Sequence, residues 1–196
     1  MKNFKLTTGR LELIAGTGEL FRVRVDDREF LSRQLGARVP ESWPPPLFDQ
    51  DAMDWMAKYL EEHEGADEWG FYFVILPARG GSGDDGDGEG EPTAIGGVGF
   101  KGIPADDGTV EIGYSMLPEF QGAGYATEAA GALVQKAFSQ PQVARVIAET
   151  YPELLPSIRV LEKNNFRFDG DGSEERVIRF ALTRGEYEAM QGGSEG

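Results

Sequence analysis

The sequence predicts an α/β domain: a mixed central sheet flanked by helices. Three observations carry this. Short apolar runs of strand length recur along the chain, at 71–76, 93–100, 109–117 and 143–151. Segments whose apolar residues step by three and four, the mark of a helix with one buried stripe, lie before and between them. The runs are also joined in two ways. Nothing helical separates 71–76 from 93–100, as in an antiparallel hairpin, whereas a helical segment separates 109–117 from 143–151, as in a parallel crossover.

The elements follow in order. "LTTGRLELIA" (6–15) reads as a first strand, and "DDREFLSRQLG" (26–36) as a helix that stops at Gly36. "VPESWPPPLFDQ" is a proline-rich loop. "DQDAMDWMAKYLEEH" is an amphipathic helix with Ala52, Met53, Met56, Tyr59 and Leu60 on one face. "FYFVIL" and "TAIGGVGF" are buried strands. Between them, residues 79–92 are almost all Gly, Asp, Glu and Ser, too polar to bury, and read as a disordered loop insert. Lengthening a hairpin loop in this way costs little closure entropy. "TVEIGYSML" (109–117) is a strand and "YATEAAGALVQKAF" a helix. "VARVIAETY" is a strand, and "PSIRVLEKNNF" a short helix opened by Pro156 and ended at Asn164 and Asn165. "RVIRFALTRGEYEAM" adds a last strand with a frayed end. The whole reads as one domain over residues 1–188, with 189–196 a flexible tail.

Composition narrows the function. The chain has 196 residues, no cysteine and one histidine, His63, in a charged helix end. Disulfides, thiolate nucleophiles and thiolate or multi-histidine metal sites are excluded, no metal is expected, and a reducing cytoplasm suits the composition. No apolar stretch is long enough to span a bilayer. The net charge of −15 argues against binding nucleic acid through a broad basic surface and mildly favours a cationic partner.

The informative stretch is "PEFQGAGYATEAAGALVQKAF", 118–138. A strand, a glycine corner and a helix start make a phosphate-binding geometry, because the first amides of a helix lack intrahelical partners and carry partial positive charge. Glycines let those amides approach an anion closely. No Lys or Arg lies between Gln121 and Thr127, so a phosphate there must be held mainly by backbone. The same glycines could instead merely turn a corner. The triphosphatase loop pattern is absent, and Thr127 stands where a dinucleotide motif would need its third glycine.

"EIGYSMLPEFQGAGYATEA" resembles the acetyl-CoA-binding motif of the GNAT superfamily of N-acetyltransferases, through Gln121, Gly124 and Ala126 with Gly122 between them. "ARVIAETYPELLPSIRVLEKNNF" resembles the next strand and helix of that fold, and "RLEL" its first strand. The closest-looking branch is that of the ribosomal-protein alanine N-acetyltransferases. The resemblance implies the GNAT acyl-CoA N-acyltransferase fold and an acetyl-CoA-dependent transfer to a primary amine, a protein N-terminus or a small molecule, by direct attack with both substrates bound. It implies that Gln121, Gly122, Ala123, Gly124, Tyr125, Ala126 and Thr127 hold the pyrophosphate. Met116 and Leu117 would pair with the pantetheine arm, and the amide near Leu117 would polarise the thioester carbonyl. Many relatives pair, so a homodimer is compatible.

The chain departs from its relatives at two positions. Leu154 takes the place of a frequent asparagine, and Leu161 that of a frequent tyrosine acid. Ser157 is then the substitute acid, unless it only caps its helix. Glu111 is the first choice of base, with small neighbours Gly113 and Ser115 on its side of the strand, unless it is a surface carboxylate. Glu174 and Glu175 are further candidates. Tyr114 and Tyr125 read as packing residues, and Glu128 should point away from a phosphate. Trp43 is assigned to the amine pocket, packing being the better account of Trp55. The rival readings are an acyl-CoA-binding module without catalysis, another kind of phosphate- or nucleotide-binding α/β protein, and an interaction domain that binds no CoA.

Overall fold

The computed structural model describes residues 4–63, 65–78 and 90–192. Most of the acidic insert, residues 79–89, and the last four residues of the chain lie outside the described residues. Residues 90–92 are described, and the carbonyl of Pro92 accepts the Arg38 amide at 2.7 Å, tethering this end of the insert beside the sheet.

Eight strands form one sheet in the order β1-β2-β3-β4-β5-β6-β8-β7. The predicted first strand is two: β1 (Lys5–Thr7) and β2 (Glu12–Ala15) pair antiparallel across a turn at Thr8–Leu11. Three helices follow. Thr17 caps α1 (Gly18–Phe21), and Asp27 caps α2 (Arg28–Leu35), which Gly36 ends in the left-handed conformation, φ 61°. Asp49 caps α3 (Gln50–Glu62). β3 (Phe71–Leu76) and β4 (Thr93–Phe100) are the expected antiparallel hairpin. β5 (Thr109–Met116) continues antiparallel to β4. α4 (Tyr125–Phe138) then crosses over to β6 (Arg145–Thr150), parallel to β5. α5 (Leu155–Lys163) leads into β7 (Arg167–Asp171), β8 (Ile178–Thr183) and α6 (Arg184–Gly192).

Two features correct the sequence reading. β7 is an additional strand, and residues 189–192, assigned to a tail, complete helix α6. Neither buries a residue fully, and each is too short or too polar to show as an apolar run in the sequence.

The sheet separates two cores. On one face Val110, Ile112 and Met116 of β5 pack with Ala129, Ala130, Leu133 and Val134 of α4 and Leu161 of α5. On the other, Leu117 packs with Phe73 and with Leu31, Met53 and Met56 of α2 and α3. This alternation along β5 decides what its side chains can reach.

Candidate acetyl-CoA site

The site begins where two parallel strands part. β5 and β6 pair only over Thr109–Glu111 and Arg145–Ile147. Beyond that, Ile112–Met116 stays with β4 and Ala148–Thr150 with β8, leaving a gap within the sheet. The Leu117 amide donates to the Ile95 carbonyl at 2.9 Å, and the Lys101 amide to the Glu111 carbonyl at 2.9 Å. Odd-numbered residues of β5 therefore bond to β4, and the backbone groups of Tyr114 and Met116 face the gap. This corrects one expectation. Leu117 is fully buried and its amide is spent inside the ladder, so it cannot polarise a ligand carbonyl. The amide that faces the gap at this level is that of Met116.

The glycine corner sits at the mouth of the gap. Gln121 folds back, its Nε2 donating to the Met116 carbonyl at 3.0 Å. Gly122 and Gly124 take φ of 77° and 82°, the left-handed region that favours glycine. Gly124 is the N-cap of α4 and brings no side chain to cap it. The amides of residues 122–127 donate to no backbone carbonyl among the described residues, although Gly122 and Ala123 are exposed and Gly124–Thr127 partly so. The corner thus presents a run of unsatisfied N–H groups at the positive end of a 14-residue helix. Glu128, in the first turn of that helix, points away, as expected. Its carboxylate accepts from Thr8 Oγ1 at 2.5 Å, from the Arg10 amide at 2.7 Å and from Arg10 Nε at 2.7 Å. Partial burial opposes its charge, but these hydrogen bonds outweigh burial and hold it below the usual carboxylate range.

A groove of about 450 Å³ lies along α4 beyond Thr127, on the side to which Glu128 points. Thr127, Glu128 and Gly131 line it on the α4 side, Lys163 and Asn164 at the end of α5, and Tyr187 and Met190 on α6. Another concavity, about 510 Å³, is lined by Asp26, Asp27 and Glu29 with Arg28 among them, a net acidic setting unfavourable to a polyanion.

The candidate acid and base lie on opposite faces of the sheet. Ser157 does not cap α5; the N-cap is Leu154, which makes no side-chain cap bond. Ser157 instead meets Tyr114: the phenol donates to the Ser157 carbonyl at 3.0 Å and lies 3.1 Å from Ser157 Oγ. Burial pushes the Tyr114 phenol up to about 12, against a smaller opposing effect of the Ser157 hydrogen bond. The phenol therefore stays neutral at ordinary pH. Tyr114 does more than pack, and its strand position alone gives no sign that its hydroxyl reaches α5. Leu161 is a core residue with no exposed surface, and Leu154 stands 42% exposed.

Glu111 projects to the α3 side. The Lys101 ammonium stands against its Oε1, off the line a hydrogen bond needs, so this oxygen is buried and ion-paired yet not hydrogen-bonded. Glu174 and Glu175 lie exposed in the β7–β8 loop. That loop is held by Glu149, whose side chain is 6% exposed and accepts from the Ser173 amide, the Ser173 hydroxyl and Arg179.

The tryptophans correct the assignment of Trp43 to the amine pocket. Trp43 is 4% exposed, stacks on Phe73 at 5.8 Å and donates its indole N–H to the Val25 carbonyl at 3.1 Å. It is a core residue and offers no face to an amine. Trp55 is 49% exposed and stacks on Tyr59.

Comparison with known proteins agrees with this geometry. Residues 19–167 match the profile described as "Acetyltransferase (GNAT) domain". The chain is 42% identical to the uncharacterized N-acetyltransferase YnaD of Bacillus subtilis (strain 168) over 62 residues, 32% of this chain and 36% of that protein. It is 35% identical to YjdG, an uncharacterized N-acetyltransferase of the same strain, over 142 residues, 72% of this chain and 77% of that protein. The match thus spans little more than a third of YnaD and about three quarters of YjdG. The structure of RimL, a ribosomal L7/L12 alpha-N-protein acetyltransferase in complex with coenzyme A, superposes with a TM-score of 0.56 at 16% identity, over 92% of this chain and 98% of that one. That likeness is one of fold. Among the described residues no helix is long and apolar enough to cross a membrane. With a split parallel strand pair, an open glycine corner and a matching profile over most of its length, the chain belongs to the GNAT acetyltransferase family.

Proposed function

We propose that the protein transfers the acetyl group of acetyl-CoA to a primary amine. The observation that carries this is the junction of gap and glycine corner: a strand edge unpaired with β6 beyond Glu111, its Met116 carbonyl held by Gln121, leads directly to a run of unsatisfied amides. An extended pantetheine arm suits the first, and a pyrophosphate the second.

In the reaction the amine nitrogen attacks the thioester carbonyl carbon, the carbon–sulfur bond breaks, and coenzyme A leaves as a thiolate that takes up one proton. The amine must be neutral to attack, so its ammonium proton leaves first, and a second nitrogen proton leaves as the amide forms. Glu111 is the assigned base, and the Lys101 ammonium must move off its Oε1 or leave the other oxygen to act. Met116 N–H is the assigned donor to the carbonyl oxygen. Ser157 is the assigned proton donor to sulfur. Tyr114 is its positioning partner: with the phenol proton on the Ser157 carbonyl, the Ser157 hydroxyl donates to the phenol oxygen and must turn from it to protonate sulfur. The acceptor is a cationic primary amine, a small molecule or a protein N-terminus, in keeping with the −15 charge of the chain. A cytoplasmic setting and pairing of two copies belong to the same proposal.

The rival reading is a binding module without turnover. The Lys101 contact on Glu111 favours it, because it occupies the assigned base. Titration with acetyl-CoA, followed by a thiol-release assay over a panel of amines and peptides, separates the two. Release on one amine class supports the enzyme; tight binding with background release on every class supports the module. With an acceptor in hand, Glu111→Gln lowers kcat more than it changes acetyl-CoA affinity, and a full-rate variant across the pH range removes Glu111 as base.

A further inference from the structure

The glycine corner contains no lysine or arginine, the chain carries a net charge of −15, and a carboxylate, Glu128, stands in the first turn of α4. A cradle of amides alone in that setting faces a repulsive field for a pyrophosphate. The fold supplies a cation from 113 residues away. Arg10, in the turn between β1 and β2, lies over the Tyr125 ring with its guanidinium carbon 4.7 Å from the centroid. Its Nε donates to Glu128 at 2.7 Å and its Nη1 to the Ala123 carbonyl at 3.0 Å.

These bonds fix the plane of the guanidinium and leave one edge over. Nη2 lies 3.5 Å from the point a Cβ on Gly124 would occupy, and makes no hydrogen bond among the described residues. The side chain keeps 49% of its surface in solvent, so a ligand can reach it. The same contacts turn the Glu128 carboxylate and the Ala123 carbonyl toward Arg10, two groups that would otherwise oppose an anion.

We propose that Arg10 is a phosphate-binding residue of this protein, its Nη2 edge taking an oxygen of the acetyl-CoA pyrophosphate while Glu128 and Ala123 hold the guanidinium in place. The proposal rests on the reading of the glycine corner as the pyrophosphate site. Arg10 precedes residues 19–167, the span matched by the family profile, so the match itself does not assign it.

The test is calorimetric titration with acetyl-CoA, run first on the unaltered chain. No binding there overturns the glycine-corner reading, and this proposal with it. Given binding, Arg10→Gln and Arg10→Lys are titrated at low and high salt, ~0.05 and ~0.5 M, with thermal melting as the control for folding. Arg10→Gln is expected to bind roughly ten- to a hundredfold more weakly at low salt, the loss of one charge-assisted hydrogen bond. That gap narrows at high salt, where a charge contact is screened. An equal loss at both salts means that Arg10 only shapes the loop, and overturns the proposal, as does an unchanged affinity. Should Arg10→Gln fail to melt cooperatively, Arg10→Lys decides: affinity that falls with salt as in the unaltered chain supports the proposal, and affinity insensitive to salt overturns it.

Discussion

Gly124→Glu is the substitution that separates folding from ligand binding at the corner. Gly124 has φ 82°, so any side chain there carries the left-handed penalty, about 1–2 kcal/mol. Sterics add little, because the nearest atom to the position a Cβ would take is the flexible end of Arg10 at 3.5 Å, an ordinary contact. A loss of that size is a fraction of the ~5–15 kcal/mol typical of a domain, so the variant folds, with its melting temperature lowered by about 2–8 °C. Binding suffers more. The new carboxylate enters among the free amides of residues 122–127 and is placed to draw on Arg10, which Glu128 and Ala123 already share. Repulsion of a pyrophosphate and loss of its donors act together, and acetyl-CoA affinity falls by at least about a hundredfold, some 3 kcal/mol. Melting curves and calorimetry on the same sample read both effects. A folded variant with unchanged acetyl-CoA affinity would refute the phosphate assignment.

Three further outcomes follow from particular contacts. Tyr114→Phe removes the bond to Ser157 and costs about 1 kcal/mol of stability; turnover falls while acetyl-CoA affinity holds, and equal turnover in the thiol-release assay removes Tyr114 from the reaction. Burial alone would raise the Glu149 carboxyl, but hydrogen bonds from Ser173 and Arg179 outweigh it and hold it low. Its contribution is therefore complete above the ordinary carboxylate value of 4.5 and is lost as pH falls below that, so melting temperature drops in acid, and Glu149→Gln flattens the drop; an equal acid slope in the variant refutes the assignment. Trp43→Ala costs about 3–5 kcal/mol as a core truncation, whereas Trp55→Ala stays within about 0.5 kcal/mol; denaturant melts showing the reverse order would return Trp43 to the surface.

What the sequence made legible is what local physics decides. The stripe of α4, the stop of α2 at Gly36 and the β3–β4 hairpin each depend on spacing within one segment, and each stands where that spacing puts it. The glycine corner is legible for the same reason. Register is not: whether Leu117 or Met116 turns its amide to the gap depends on a hydrogen bond to Ile95, on another strand. The tryptophans defeat a sequence reading because their neighbours, not their own flanks, bury them; Trp43 meets Phe73 only once the loop before α3 folds onto the sheet. Arg10 escapes notice through sheer separation, and Tyr114 because a hydroxyl reaching across to the next helix leaves no periodic trace. The turn at Thr8–Leu11 that splits the first strand is what carries Arg10 to the corner.

The short seam between β5 and β6 has a consequence for how the molecule opens. Only three paired positions join the two halves of the sheet there, while β4–β5 is matched at five and β6–β8 at six. Hydrogen bonding along the gap is thus confined to each half, and the core on the α4 face is what holds the halves together there, so exchange of gap-facing amides is expected to differ between the two halves. A ligand lying along the gap bonds to one half and packs against the other. It would act as an additional strand that couples the two, so that amides facing the gap are expected to gain protection when the gap is filled.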